Sequence, residues 1–233
     1  MKVIAAVDIM GGSVVRLVKG DPANKIVYGS DPVETAKKWE SAGADMLHIV
    51  DLDATLSTGS NSESVTKIAE AIRIPIQIAG GIRSQESAQS MLAKGSAVVL
   101  GTMAYSDHEV VKRLAKQNPG KIVISIDQVN GNVMVKGWKE SSGVKMADAI
   151  SQFKAMGIDE FLLTSIERDG TLQGPDVQTL ADAVKSGTKI IASGGISSVE
   201  DVIRVRSAGC SSVILGKALY DGKVSIEQAK AVA

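Results

Sequence analysis

Lys2-Val-Ile-Ala-Ala-Val-Asp8 lies near the start of the chain, and Lys121-Ile-Val-Ile-Ser-Ile-Asp127 repeats its pattern 119 positions later. Each segment is a short apolar run that ends on an aspartate. A run that is apolar nearly throughout is typical of a strand covered on both faces, as in a parallel sheet. The two segments therefore predict equivalent buried strands in two halves of the chain.

Two further pairs of segments repeat in the same order. Ala79-Gly-Gly-Ile-Arg-Ser84 matches Ser193-Gly-Gly-Ile-Ser-Ser198, and Val99-Leu-Gly-Thr-Met-Ala-Tyr105 is similar to Ile214-Leu-Gly-Lys-Ala-Leu-Tyr220. Repeats at a nearly constant offset indicate a duplicated structural unit. Because no linker separates the halves, we expect one domain over residues 1–233, with half-barrels at roughly 1–120 and 121–233.

Short β-branched runs alternate with helical stretches along the whole chain. The predicted strands are Val3–Asp8, Met46–Asp51, Ile76–Ala79, Val98–Gly101, Ile122–Asp127, Phe161–Thr164, Ile190–Ser193 and Val213–Gly216. The predicted helices are Pro32–Ser41, Glu63–Ala71, Ser84–Ala93, Asp107–Lys116, Met146–Ala155, Val177–Val184, Val199–Ser207 and Ser225–Val232. Eight of each favour a (β/α)8 TIM barrel. An open doubly wound sheet would usually carry a GxGxxG turn after its first strand, where this chain has Asp8-Ile-Met-Gly-Gly-Ser13.

Charge and composition argue against several partner classes. Lys+Arg and Asp+Glu both number 26, so nothing global attracts the chain to nucleic acid or to an anionic membrane. The one cysteine, Cys210, excludes an internal disulfide and a cysteine-rich metal site. The first apolar run is too short for a secretion signal or a membrane span. We expect a cytoplasmic protein that binds neither nucleic acid nor membrane.

Glycine turns follow four of the predicted strands. They are Gly80–Gly81 and Gly101–Thr102 in the first half, and Gly194–Gly195 and Gly216–Lys217 in the second. Glycine lets backbone approach a ligand, and the start of the next helix offers free N–H groups to an anion. One Gly-Gly pair is as readily a plain tight turn. Four turns in two equivalent pairs favour two phosphate sites and a small-molecule substrate with a phosphate at each end.

Asp8 and Asp127 end equivalent strands and should face each other across the barrel mouth. Two separated carboxylates suit general acid–base catalysis, in which one takes a proton and the other donates one. The alternative is that each aspartate only caps the following turn. No His, Asp or Glu cluster has metal-ligand spacing, so we expect no metal site.

Other polar residues at the predicted mouth allow two interpretations each. Thr164 could hydrogen-bond a reacting hydroxyl or cap its turn, and Arg83 could clamp a phosphate or face water. Asp169 and Gly170 belong to the loop Arg168-Asp-Gly-Thr171, whose polarity favours a functional role. His48 lies inside the second strand and is interpreted as a packed or near-mouth residue.

The chain resembles the phosphoribosylformimino-5-aminoimidazole carboxamide ribotide isomerases of histidine biosynthesis. The resemblance extends over essentially the whole chain. The segments that carry it are Ala6-Val-Asp8, Val15-Arg-Leu-Val-Lys-Gly20, His48-Ile-Val-Asp-Leu-Asp53, Gly80-Gly-Ile-Arg83, Val135-Lys-Gly-Trp138, Leu163-Thr-Ser-Ile-Glu-Arg-Asp-Gly-Thr-Leu172 and Ile191-Ala-Ser-Gly-Gly-Ile-Ser197.

This resemblance implies an Amadori rearrangement of a bis-phosphorylated aminoaldose to its aminoketose, without a cofactor. It implies that Asp127 is the general acid and Asp8 the general base, with Thr164 assisting and Asp169 as an orienting partner. Arg16 and Trp138 would contact the substrate. It also implies a monomer with no obligate protein partner.

Three related functions remain as alternatives. A sibling cyclase family shares both aspartates but is expected to have Cys-Leu-Asp in the first strand and a later lysine, where this chain has Ala6-Val-Asp8 and Arg16. A dual-substrate relative also isomerises phosphoribosylanthranilate in tryptophan synthesis, and its pattern favours arginine where this chain has Lys136. A non-catalytic phosphate-binding barrel could keep the glycine turns.

Overall fold

Eight parallel strands close into a barrel in the computed structural model, which describes residues 1–233. They are β1 (Lys2–Met10), β4 (Met46–Asp51), β5 (Ile76–Ala79), β6 (Ala97–Leu100), β7 (Ile122–Val129), β10 (Glu160–Ser165), β11 (Lys189–Ser193) and β12 (Ser212–Leu215). Neighbouring strands pair in the order β10-β11-β12-β1-β4-β5-β6-β7, and pairing of β10 with β7 completes the ring. The predicted TIM-barrel fold is confirmed.

Two antiparallel hairpins, which the sequence analysis did not predict, extend from the barrel. The first is formed by β1 with β2 (Ser13–Val18) and β3 (Asp21–Gly29). The second is formed by β7 with β8 (Asn132–Val135) and β9 (Glu140–Lys145). They begin at equivalent points of the two halves, because β1 and β7 continue past their aspartates.

The first turn of each hairpin has two consecutive residues with positive φ. These are Gly11–Gly12, at 56° and 73°, and Asn130–Gly131, at 50° and 76°. Such turns match the right-handed twist of the strands that they connect, and they favour Gly-Gly and Asn-Gly pairs. These two dipeptides were the available sequence signals for the hairpins.

Eleven helices cover the outside of the barrel and line its rim. Their bounds are α1 (Pro32–Ser41), α2 (Leu52–Leu56), α3 (Ser62–Ala71), α4 (Gln85–Leu92), α5 (Thr102–Ser106), α6 (His108–Gln117), α7 (Met146–Ala155), α8 (Val177–Val184), α9 (Val199–Ser207), α10 (Lys217–Tyr220) and α11 (Ile226–Val232). The eight predicted helices are present, whereas the short helices α2, α5 and α10 were not predicted. No helix has both the length and the hydrophobicity that crossing a bilayer requires.

Alternation along the strands separates an outer core from an inner one. In β1, Val3, Ala5 and Val7 belong to a core of 51 buried residues, whereas Ile4 and Ala6 belong to a separate group of nine. Because successive side chains of a strand point to opposite faces, Asp8 continues the second set. Its carboxylate therefore lies above the inner core, at the end of the barrel.

Candidate active site

One cavity of about 680 Å³ opens at the C-terminal ends of the barrel strands. Eleven of the predicted site residues line it: Asp8, Arg16, Gly80, Gly81, Arg83, Gly101, Thr102, Asp127, Trp138, Thr164 and Asp169. A separate recess of about 20 Å³ is lined by the other five, which are Gly170, Gly194, Gly195, Gly216 and Lys217. Arg16 and Asp169 border both spaces. The structure therefore brings all the predicted residues to one end of the barrel.

Asp8 is paired with a buried arginine. Its Oδ2 accepts a hydrogen bond from Arg16 Nη1 at 2.8 Å, and only 14% of the Asp8 side chain is exposed. The pairing follows from the hairpin, because β1 and β2 place Asp8 opposite Val15, next to Arg16. Burial raises the pKa of Asp8, and the Arg16 guanidinium opposes that rise.

Asp127 has no cation to oppose its burial. Burial raises its pKa, and only the polar side chains of Trp138, Thr164 and Ser125 act in the other direction. Thr164 lies beside it because β10 and β7 pair these two residues in register. A carboxyl group in such surroundings retains its proton to higher pH than an exposed one.

Asp169 is a third carboxylate at the same end of the barrel. Burial raises its pKa to about 6; Arg16 lowers it, whereas the charges of Asp8 and Asp127 raise it further. Burial disfavours the charged form of Arg16, but Asp8 and Asp169 outweigh this, so the pKa of Arg16 is raised. The Arg16 Nε is buried without a hydrogen-bond partner. This one guanidinium therefore links two of the three carboxylates.

His48 lines the same cavity as a neutral imidazole. Burial, and then the charge of Arg16, lower its pKa to about 3. Its Nδ1 is buried without a hydrogen-bond partner. The near-mouth interpretation of His48 is therefore the one that the structure supports.

The first glycine cradle consists of Gly80–Gly81 and Gly101–Thr102. A Cβ atom at Gly80 would lie 2.8 Å from the Asp51 nitrogen, and one at Gly81 would lie 2.8 Å from the carbonyl carbon of Ala54. These two glycines are thus required by the packing of neighbouring loops. Gly101 differs, because nothing lies within 4 Å of the position of its missing Cβ. Open space for a ligand exists at this glycine.

Arg83 is held by the protein at the rim of the first cradle. Its Nη2 donates to the Ala54 carbonyl oxygen at 2.9 Å and to Ser57 Oγ at 2.8 Å. Both acceptors lie at the C-terminal end of α2. Arg83 therefore does more than face water, and its guanidinium is fixed beside the cavity.

The second cradle consists of Gly194–Gly195 and Gly216–Lys217. A Cβ atom at Gly194 would lie 2.8 Å from the Ser165 oxygen, which again indicates loop packing. At Gly216 it would lie 2.7 Å from Arg16 Cζ, so the arginine occupies the space that the glycine leaves. The Lys217 ammonium forms an ion pair with Asp221. The second cradle is therefore smaller than the first, and both of its cations are paired with carboxylates.

Comparison with known proteins identifies the family. A family model described as "Histidine biosynthesis protein" matches residues 2–225. A protein of Nitrosopumilus maritimus (strain SCM1) is 51% identical over 99% of this chain and 98% of its own. It is named 1-(5-phosphoribosyl)-5-((5-phosphoribosylamino)methylideneamino)imidazole-4-carboxamide isomerase. The chain belongs to this isomerase family of histidine biosynthesis.

Other relatives with the same name extend over similar lengths. The protein of Cenarchaeum symbiosum (strain A) is 48% identical over 98% of this chain and 99% of its own. That of a Synechocystis species is 40% identical over 98% of this chain and 92% of its own. The family predicted from the sequence is confirmed.

The cavity of this isomerase-family member is also lined by residues that the sequence analysis did not predict. Ser125 and Gly20 line the cavity beside Asp127 and Trp138. Ser125 stands two positions before Asp127, on the same face of β7, so the strand period could have indicated it. Gly20 lies in an unpredicted hairpin, and no local pattern pointed to it.

Proposed function

We propose that the chain is an aldose–ketose isomerase. It converts N'-(5'-phosphoribosyl)formimino-5-aminoimidazole-4-carboxamide ribonucleotide to its phosphoribulosyl aminoketose by an Amadori rearrangement. The observation that carries this proposal is the pair Asp8 and Asp127 at one cavity, the first paired with Arg16 and the second without a cation. Membership of the isomerase family supports the same reaction.

The two carboxyl groups take opposite roles because their neighbours differ. Asp127, buried without a cation, holds a proton and donates it to the ribose ring oxygen. The bond between that oxygen and the anomeric carbon breaks, and the substrate nitrogen supplies the electron pair for the resulting iminium. Asp8, whose pKa burial raises and Arg16 holds back, acts in its ionised form, removes the proton from the adjacent carbon and yields an enolamine. The enolamine tautomerises to the ketose, so the product is an isomer of the substrate.

Thr164 and Asp169 assist these two groups. Thr164, in register with Asp127, hydrogen-bonds a reacting hydroxyl group. Asp169 shares Arg16 with Asp8 and orients that guanidinium. The rearrangement oxidises one carbon of the substrate and reduces its neighbour, so no electrons leave the molecule and the proposal includes neither a metal nor a redox cofactor.

The two glycine cradles hold the two phosphates of the substrate. In the first, the open space beside Gly101, together with Thr102 and Arg83, receives one phosphate. In the second, Gly194–Gly195, Gly170 and Gly216 surround a small recess that Arg16 and Lys217 also line. Trp138 stacks on a ring of the substrate across the cavity.

The proposal includes one domain, a monomeric state and a cytoplasmic location. The half-barrels at roughly 1–120 and 121–233 would descend from a duplication. The equivalent hairpins on β1 and β7 support that origin.

The decisive experiment measures turnover on the aminoaldose and on phosphoribosylanthranilate side by side. We expect turnover of the bis-phosphorylated substrate and at most a trace on the smaller one. Comparable rates on both would favour the dual-substrate alternative. Absence of turnover on either by folded protein would favour a non-catalytic phosphate-binding barrel.

A second experiment tests the two phosphate sites through equivalent positions of the two halves. Thr102→Val changes the first cradle and Lys217→Met changes the second. Each should raise KM for the full substrate about tenfold, the usual value of a hydrogen bond to a charged group. Each should have a smaller effect on an analogue that lacks the phosphate at its own end. A residual effect of Thr102→Val is expected there, because Thr102 also accepts the Lys136 N–H. Equal losses on both trimmed analogues would contradict the two-site arrangement.

A further inference from the structure

The turn between β2 and β3 reaches across the mouth of the cavity to two other loops. Its Lys19 N–H donates to the Asp169 carbonyl oxygen at 3.1 Å. A Cβ atom at Gly170 would lie 2.8 Å from the Leu17 carbonyl oxygen, so the loop of Asp169 packs directly on the same hairpin. The third contact of this turn is with Trp138.

Gly20 forms that third contact. A Cβ atom on Gly20 would lie 2.5 Å from Cε3 and 2.7 Å from Cζ3 of Trp138. The six-membered ring of the indole therefore rests on the face of Gly20 where any other residue carries its side chain. Trp138 and Asp127 line the same cavity, and the indole N–H opposes the rise that burial causes in the pKa of that carboxyl. Trp138 is thus held between the first hairpin and the carboxylate of the second half.

Trp138 lies in a tight turn whose backbone is held on both sides. Lys136, Gly137 and Trp138 all have positive φ, at 55°, 66° and 70°. The segment is anchored at its start, where Lys136 N–H donates to Thr102 Oγ1 at 2.8 Å. Only Gly137 separates that anchor from Trp138, and on the other side Lys139 N–H donates to the Val135 carbonyl oxygen at 3.1 Å. These bonds hold the backbone, whereas the contact with Gly20 is made by the indole ring itself.

From this geometry we infer that Gly20 is a positioning residue for Trp138. Because Gly20 has no side chain, the indole packs directly on its backbone, and this contact holds the ring over the cavity and toward Asp127. The consequence for substrate binding rests on the proposed function, in which Trp138 stacks on a substrate ring. The competing explanation is that Gly20 is glycine only because its φ is 70°.

The chain contains two controls that separate these explanations. Gly12 and Gly131 also end hairpin turns, with φ of 73° and 76°. Nothing lies within 4 Å of the position of a Cβ atom at either residue. Gly20→Ala, Gly12→Ala and Gly131→Ala therefore introduce the same left-handed strain, but only the first displaces Trp138.

Acrylamide quenching of tryptophan fluorescence tests the packing of Trp138 on Gly20 without any substrate. The chain has two tryptophans, and Trp39 is only 4% exposed, so the quenching reports mainly on Trp138. We expect a higher quenching constant in Gly20→Ala than in the wild type, and an unchanged constant in both controls. Equal quenching in Gly20→Ala and the controls would overturn the inference, whatever reaction the protein catalyses.

A double-mutant cycle tests the consequence for the reaction. Gly20→Ala should raise KM for the aminoaldose about tenfold, in the range typical of coupled neighbouring residues, while both controls leave it unchanged. In a Trp138→Ala background, the same Gly20→Ala change should have no further effect on KM. A tenfold increase that persists without Trp138, or that Gly12→Ala reproduces, would show that backbone strain alone explains Gly20.

Discussion

The two halves of the barrel present the same scaffold with different chemistry. Asp8 and Asp127 end equivalent strands, and each strand continues into a hairpin. At the offset of 119 that relates the aspartates, however, Arg16 of the first hairpin corresponds to Val135 of the second. One carboxylate therefore has a guanidinium at 2.8 Å and the other has none. The proposed acid and base roles rest on this difference in the surroundings of two equivalent carboxylates.

The same arginine also makes the two cradles unequal. The space beside Gly101 is open, whereas the corresponding space beside Gly216 is occupied by Arg16. The first cradle therefore opens to the large cavity, and the second is a small recess. Under the proposed function, this difference would give a substrate with two phosphates one preferred orientation.

The strongest test of the comparison removes each carboxylate separately. Asp8→Asn and Asp127→Asn should each lower kcat by about 10²–10⁴-fold, the usual contribution of a positioned acid or base. Steady-state turnover measures this, and circular dichroism verifies that each variant is folded. If either folded variant retained near wild-type turnover, the assignment of acid and base would be wrong.

The glycine turns should differ in how much stability they contribute. Gly80→Ala brings Cβ within 3 Å of three backbone atoms of Asp51, whereas Gly194→Ala approaches only one atom of Ser165 that closely. We expect Gly80→Ala to lower the free energy of unfolding by about 3 kcal/mol, from overpacking and left-handed strain, and Gly194→Ala by less.

Urea denaturation of the two variants measures this difference. Gly12→Ala, which adds strain without a contact, is the matched control and should cost about 1 kcal/mol. Equal costs for all three substitutions would mean that the loops move apart and that packing does not require these glycines.

Arg16→Gln should make the surroundings of Asp8 more like those of Asp127, since neither carboxylate would then have a cation beside it. Without the guanidinium, burial raises the pKa of Asp8 unopposed, and the base must be ionised to act. The acidic limb of the pH profile of kcat/KM should therefore move to higher pH, and activity near neutral pH should fall about tenfold or more. The basic limb, which reports Asp127, should not move.

Arg16→Lys is the conservative comparison for that profile. It retains a positive charge and should restore part of the shift in the acidic limb. A profile that keeps its shape in Arg16→Gln and only falls in height would indicate that Arg16 binds substrate without influencing Asp8.

The smallest expected effect concerns Asp169. Its pKa in the folded protein, about 6, exceeds the value near 3.9 of an unfolded chain. The folded state thus binds more protons between these values, and the stability that Asp169 contributes is lost as pH rises from about 4 to 6. Asp169→Asn does not titrate, so it should be more stable than wild type by about 1–2 kcal/mol at pH 8 and no more stable at pH 4. Urea midpoints at both pH values measure this, and a gain that is equal at both would exclude titration as its cause.

Repetition along the chain was sufficient to predict the barrel and the position of its site. Eight apolar runs separated by helical stretches leave few other folds, and strand ends at one rim bring Asp8, Asp127, Thr164 and the glycine turns together. Strands β3 and β9 escaped prediction because they are mostly exposed and polar, so they lack the apolar pattern of a buried strand. For the same reason, Gly20 carried no recognisable signal. The apolar strand β2 and the two turn dipeptides did carry signals, which the sequence analysis did not use.

Local sequence thus determined which residues reach the mouth of the barrel, since a strand's period and its end decide where a side chain points. Only the tertiary structure decided what those residues meet there. Strand register and chain folding bring together segments that are separate along the chain. The resulting contacts are the pairing of Arg16 with Asp8, the packing of Gly80 on Asp51 and the packing of Trp138 on Gly20. Charge and contact depend on distances of a few ångströms across the fold, and spacing along the chain does not specify such distances.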